Sequence, residues 1–236
     1  IIVDDGWASA TNWEQTRKTM FSLIDRADIE NRSISIITTA ESHIQYNNEI
    51  LSPKKARQIA KKITPKPWPS KRETTLEFLS SSKIIEKANV FWLNDGIEHD
   101  SPEITQQFVT LIGNKSSRLE IIKPQYDKTP KILLPPLFSS GLVKITAKRS
   151  VASSEENIII KILGRDSKLI TSKSLHFPSD KREGIIEISL PNEIQSQITR
   201  IEIDGHTNVG SIFLVDTSWY RRKVGIVADK NIFQTS

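Results

Sequence analysis

The chain has 236 residues, 37% hydrophobic and 26% charged, which suits two ordinary folded domains and excludes a disordered polymer. Its net charge of +5 comes from 33 basic and 28 acidic residues interspersed along the chain, with Arg221-Arg222-Lys223 the longest basic run, so nucleic acid is not the expected partner. The absence of cysteine excludes disulfides, thiolate metal sites and cysteine nucleophiles, and no apolar run approaches the roughly 18 residues that cross a bilayer.

Ile1–Val3 is an all-apolar run that stops at Asp4-Asp5-Gly6, the pattern of a buried parallel strand ending in a loop. A helix follows, with Thr11 and Glu14 as a capping-box pair and Trp13, Met20, Phe21, Ile24 and Ala27 as its buried stripe. Ile34–Thr38 reads as a second strand, buried on both faces. Ser52-Pro53 opens a helix striped by Ala56, Ile59, Ala60 and Ile63. Pro65, Pro67 and Pro69 end it in an extended loop around Trp68. Ser70 and Glu73 repeat the capping box ahead of Leu76 and Leu79. Val90–Leu93 is the clearest central strand, and Asn94-Asp95-Gly96 follows it. Ser101-Pro102-Glu103 starts a helix carrying Ile104, Phe108, Leu111 and Ile112, with Gly113 as its stop, and Leu119–Ile122 is a further strand. Strands alternating with amphipathic helices predict a mostly parallel sheet covered on both faces, with any ligand beyond the carboxyl ends of its strands.

From Pro130 the helical period disappears. Short apolar or alternating runs take over at Ile132–Leu134, Leu142–Ala147, Ile158–Leu163, Leu169–Phe177, Ile185–Leu190, Thr199–Ile203 and Ser211–Val215. Turn signals such as Ser139-Ser140-Gly141 and Asp204-Gly205 separate them, and seven short strands at this spacing predict an antiparallel β-sandwich of immunoglobulin-like type. The fold class is therefore α/β plus all-β. The expected division is an α/β domain at residues 1–127, a β-sandwich at 128–220, and a following domain or tail at 221–236. Val224–Val227 repeats the strand-then-polar-loop pattern of Ile1–Gly6, and both ends of the chain read as cuts from a longer protein.

The first strand ends Val3-Asp4-Asp5-Gly6-Trp7-Ala8-Ser9, and the central strand reads Phe91-Trp92-Leu93-Asn94-Asp95-Gly96. Together they resemble the von Willebrand A fold, whose first strand ends in Asp-x-Ser-x-Ser and whose fourth ends in Thr-Asp-Gly. In that family these groups, with a Thr between them, hold a magnesium ion. Laid on the pattern, Asp4 and Asp95 keep their carboxylates, Gly6 and Ala8 replace both serines, Asn94 replaces the Thr, and the intermediate Thr falls near Ser70. Hard cations take about six oxygen ligands, so no metal is expected; Asp4 and Asp95 are the ligands if one binds. A resemblance over nearly the whole chain is carried by Asp4-Asp5-Gly6-Trp7, Leu23-Ile24-Asp25-Arg26-Ala27, Pro67-Trp68-Pro69, Trp92-Leu93-Asn94-Asp95-Gly96, Ile188-Ser189-Leu190-Pro191 and the segment from Trp219 to Val227. These look like alphaproteobacterial membrane proteins related to aerotolerance regulators. That resemblance implies bacterial origin, two membrane helices ahead of this chain and a glutamine-amidotransferase-like domain after it. It supplies no activity and no cofactor.

Enzymatic motifs find no footing. A receiver domain needs a phosphoacceptor Asp after its third strand, where this chain has Glu49-Ile50-Leu51-Ser52-Pro53, and a dehalogenase-type phosphatase needs Asp-x-Asp. His43, His99, His176 and His206 are scattered, and His99, between Glu98 and Asp100, reads as a solvated loop histidine. One cluster remains. Asp4, Asp5, Asp95, Glu98 and Asp100 are expected to converge at one sheet edge, with Trp7, Trp68 and Ser70 on the same rim. The favoured reading has the carboxylates capping helices and holding loops through backbone amides; the other makes the rim a ligand site. The tryptophans either pack loops or anchor a partner. The chain thus reads as a non-catalytic interaction or scaffold module with a protein partner, membrane-anchored through segments outside it. The alternative is a divalent-cation-dependent adhesion-type ligand domain.

Overall fold

In the parallel sheet, β1 (Ile2–Val3) lies between β2 (Ile37–Thr38) and β3 (Asn89–Leu93), and β4 (Arg118–Ile122) flanks β3. All three pairings are parallel, giving the order β2-β1-β3-β4. The computed structural model describes residues 1–40, 49–125, 129–139 and 141–216. Successive strand residues point to opposite faces. Ile2 and Trp92, opposite each other in register, therefore enter one layer, and Val3 and Leu93 enter the other. Leu79 of α3 (Arg72–Ser81) and Phe108 and Ile112 of α4 (Pro102–Lys115) close the first layer, where Trp92 meets Phe108 edge-on at 5.0 Å. Met20 and Ile24 of α1 (Trp13–Ile29) and Ala56 and Ala60 of α2 (Pro53–Ala60) close the second. Each fully buried Ile, Leu or Phe side chain contributes about 1.5–3 kcal/mol, so these two layers fix the sheet edge that carries the acidic loops.

The helix starts depart from the capping-box expectations. Trp7–Asn12 winds as a 3-10 segment, so α1 begins at Trp13, and the Thr11 hydroxyl accepts from Asn208 Nδ2 at 2.8 Å instead of capping. The third helix begins at Arg72, whose backbone N–H donates to Asp100 Oδ2 at 3.0 Å; the cap comes from a distant loop, and Ser70 is released for Asp95. Gly113 does not stop α4, which runs on to Lys115. The Lys115 ammonium reaches the carbonyls of Leu79 and Ser80 at 3.0 and 2.7 Å and closes the end of α3. Pro53 and Pro102 do open their helices at the first position, where a missing N–H is harmless.

The last parallel strand ends at Ile122, and the first antiparallel strand begins at Lys131. Strand β5 (Lys131–Leu133), β6 (Leu137–Ser139), β7 (Leu142–Arg149) and β10 (Glu183–Ser189) form one antiparallel sheet in which β7 pairs with the other three. Strands β8 (Glu156–Leu163), β9 (Leu169–Phe177), β11 (Arg200–Ile203) and β12 (Ile212–Leu214) form a second, ordered β12-β11-β8-β9. The sequence signals missed β6, a three-residue strand behind Pro135 and Pro136. Both sheets feed one core: Val143, Ile145 and Ile188 meet Ile160, Ile162, Leu175, Phe177 and Ile201. Gly184 is required there, since a Cβ would lie 2.5 Å from Leu175 Cδ2 and 2.7 Å from the His176 carbonyl.

At one end of this core sits Arg149, buried. Its guanidinium donates to the carbonyls of Lys181 (2.9 Å), Ser154 (2.9 Å), Ser153 (3.0 Å) and Pro178 (3.1 Å) and to the Ser153 hydroxyl (2.9 Å). It lies over the Phe177 ring and shares Glu156 with the buried Lys131. One side chain thus ties two loops together. Among the described residues no helix is long and apolar enough to cross a membrane. The segment 221–236, with its expected strand at Val224–Val227, lies outside the described residues.

Candidate functional site

Parallel strands gather their following loops at one edge. Strand β1 delivers Asp4 and Asp5, β2 leads into Thr39 and Ala40, and β3 leads into Asn94 and Asp95. The Asp4 N–H still donates to the Leu93 carbonyl at 3.0 Å, so the ladder itself buries this carboxylate.

Between these carboxylates lies Arg72, 1% exposed. Its Nη2 donates to Asp4 Oδ2 (2.8 Å), the Ile97 carbonyl (2.8 Å) and Asp95 Oδ1 (3.3 Å), and its Nη1 to Glu98 Oε1 (3.4 Å). The guanidinium carbon stands 5.0 Å from the centroid of the Trp92 ring. A planar fork of donors bridging several acceptors over an aromatic face is a role lysine cannot fill.

Each carboxylate also holds a loop. Asp4 accepts from Thr39 Oγ1 (2.8 Å) and Asn94 Nδ2 (3.3 Å). Asp95 accepts from the Ile97 N–H (3.0 Å) and the Ser70 hydroxyl (3.4 Å), and His99 Nε2 lies 2.7 Å from it. Asp5 accepts from the Ala40 N–H at 2.9 Å, and Asp100 caps α3. Glu98 is the most open of the set and also takes the Thr105 hydroxyl. The structure therefore brings Asp4, Asp5, Ser70, Asp95, Glu98 and Asp100 together, with the first four buried beneath the rim. Trp7 packs edge-on against His99 at 6.0 Å, and a Cβ on Gly210 would lie 2.9 Å from its ring. Trp68 is 47% exposed and donates its indole N–H to the Ala40 carbonyl at 2.5 Å. His99 is not solvated: its side chain is 3% exposed, held by Asp95 and covered by Trp7.

Sequence reasoning missed Arg72. Its one signal was a cation in the first helical turn, where the macrodipole disfavours positive charge unless acids surround it. Burial first, and Asp95 second, push the Asp4 carboxyl above its ordinary value, while Arg72 and Thr39 pull it back. Burial works against the charged form of Arg72, but the charges of Asp4 and Asp95 leave it held above its ordinary value. One guanidinium faces two buried carboxylates, so a proton on Asp4 relieves their repulsion. The folded state binds that proton more tightly than the unfolded chain, so this contribution to stability is complete below the unfolded value of 3.8 and is lost as pH rises through the higher folded value. Asp4→Asn has no such proton. The melting temperature of the native chain relative to Asp4→Asn is therefore expected to improve as pH falls from neutral toward 3.8. A difference that is flat with pH would refute the assignment.

The magnesium ion that the resemblance implies does not fit these residues. A guanidinium takes the position between Asp4 and Asp95, and Gly6 and Ala8 offer no side-chain oxygen. A Cβ on Gly6 would lie 2.6 Å from the Ser70 backbone nitrogen and 2.9 Å from its hydroxyl, so the chain at Pro69-Ser70 fills the space a serine would need. Gly6→Ser is accordingly expected to lower stability by about 1–3 kcal/mol in urea unfolding, as overpacking does, without raising magnesium affinity. No protein-family model, curated protein or solved structure matches this chain.

Proposed function

We propose that this chain is a non-catalytic protein-interaction module. In this reading a von Willebrand A-like α/β unit, whose divalent ion has been replaced by an internal arginine, precedes an immunoglobulin-like β-sandwich. The observation that carries it is the placement of Arg72, whose terminal nitrogens are engaged by Asp4, Asp95, Glu98 and the Ile97 carbonyl. A metal ion can keep an open coordination position for a ligand; this guanidinium joins loops. The order of groups beside it also favours a non-catalytic role. Ser70, Asp95 and His99 are the residue types of a nucleophilic triad, but the carboxylate lies between hydroxyl and imidazole, where activation needs the base in the middle. Membrane anchorage through segments outside these residues, in a bacterial protein, rests on the sequence resemblance alone.

Calorimetric titration with magnesium and with manganese tests the reading. No binding tighter than about millimolar is expected, the weak end for oxygen-ligand sites. Micromolar binding abolished by Asp4→Asn would favour the divalent-cation-dependent adhesion reading instead.

A further inference from the structure

The parallel-sheet half and the antiparallel half enclose a cleft of about 750 Å³ on the side of Trp7. That volume is within the roughly 300–1,000 Å³ of ligand-sized pockets. Its floor is apolar, formed by Trp7, Ile97 and Ile132, with Ile185 of β10 standing 52% exposed at the mouth. Its rim is basic, with Lys148, Lys181 and Arg182 all exposed.

The charges on this surface do not balance. Glu183 lies 3.7 Å from Lys148, and Glu98, on the opposite wall, is taken by Arg72. Beneath the floor, Lys131 and Arg149 share the single carboxylate of Glu156. Among the described residues no carboxylate lies within ion-pair distance of Lys181 or Arg182. Among the residues that line the cleft, the four cations Lys148, Arg149, Lys181 and Arg182 thus stand against Glu98 and Glu183. The rim is also fixed in place: the Arg149 guanidinium and backbone N–H each bind at 2.9 Å, to the carbonyls of Lys181 and Arg182 respectively. A pre-positioned rim spares the ordering cost that weakens binding to a mobile one.

We propose that this cleft is the docking groove for a partner-protein segment that pairs acidic side chains with apolar anchors. The inference rests on the interaction-module reading and names the chemistry of the partner. Acidic groups of the segment meet Lys181 and Arg182, away from Glu98, and its apolar side chains enter between Trp7, Ile132 and Ile185. An apolar floor with two cations that no carboxylate of the described residues pairs suits a peptide better than a nucleic acid, whose affinity scales with the number of phosphates neutralised.

The test uses the whole chain against a random octapeptide library, with the Lys181→Glu/Arg182→Glu double variant and Ile185→Ser selected in parallel. Both changes are on exposed side chains, and unchanged melting temperatures check that the fold is intact. The expected result is enrichment of peptides holding at least two acidic and one large apolar residue. Their affinity should fall at least tenfold for either variant and should not respond to magnesium. Enrichment of basic or purely polar peptides, no enrichment, or equal binding by the charge-reversed variant would overturn the proposal. So would stronger binding of an oligothymidylate that the charge reversal abolishes. Peptide binding that requires magnesium, or cleavage of the peptides, would instead overturn the interaction-module reading itself.

Discussion

Arg72→Met is expected to lower the free energy of unfolding by about 3–5 kcal/mol, the range for removing one partner of a buried ion pair. The size follows from what is left behind. Asp4 and Asp95 are both buried, and without the guanidinium their repulsion and desolvation have no counter-charge. The Ile97 carbonyl and one Glu98 contact are lost as well, so the loop after β3 loosens together with the start of α3. Arg72→Lys should recover less than half of the loss, because one ammonium with three donors cannot span four acceptors and also stand over the Trp92 ring. The decisive comparison is the triple variant Asp4→Asn/Asp95→Asn/Arg72→Met, which removes all three charges together. It should be more stable than Arg72→Met alone, and urea unfolding measures both. Equal stability of the two would mean that uncompensated charge is not the source of the loss, and the proposal that Arg72 stands in for an ion would lose its energetic basis.

The parallel sheet was legible because each strand is an apolar run that ends in a polar turn, and each helix carries a stripe at helical spacing. Both patterns are local. The convergence of Asp4, Asp95, Glu98 and Asp100 was legible for the same reason, since topology alone takes the ends of neighbouring parallel strands to one edge. What the residues do there was less accessible. Ser70 and Glu73 have the spacing of a capping box, yet Asp100 from another loop caps that helix, because Ser70 is drawn to Asp95. Thr11 is drawn in the same way to Asn208, 197 residues away. Arg72 was hidden for a related reason: a lone arginine on an amphipathic helix reads as a solvated charge, and only the assembled fold shows that its side of the helix is buried. His99 was misjudged because its cover, Trp7, comes from the other end of the α/β half. Long-range polar partners are the part of a site that periodicity does not encode.

Arg149→Met is the other substitution expected to be costly, and two effects oppose each other in it. Register places Lys131 opposite Arg149, both buried and sharing Glu156, so removing one cation relieves a like-charge contact and leaves Lys131 with the whole carboxylate. Against this, the Ser154 and Lys181 carbonyls and the Ser153 hydroxyl lose the guanidinium that donates to them, and the Ser153 and Pro178 carbonyls keep only the backbone N–H groups of Asp180 and Lys181. Each stranded acceptor that stays buried costs about 1–3 kcal/mol, and water reaches some of them once the turns open. Several such losses outweigh one relieved repulsion, so a net loss of about 3–5 kcal/mol is expected. Ser153→Ala, which removes one hydroxyl acceptor and leaves the hub intact, should cost only about 0.5–1.5 kcal/mol. The two variants therefore separate the hub from its spokes. Hydrogen exchange gives the local readout: the Asp180 amide, which donates to the Ser153 carbonyl at 3.0 Å, should lose protection in Arg149→Met well before the strands of the shared core do. A stability change below about 1 kcal/mol with that amide still protected would show that the turns hold themselves. The 178–182 turn would then be positioned by its own backbone, and Lys181 and Arg182 would owe their placement on the cleft to that turn alone.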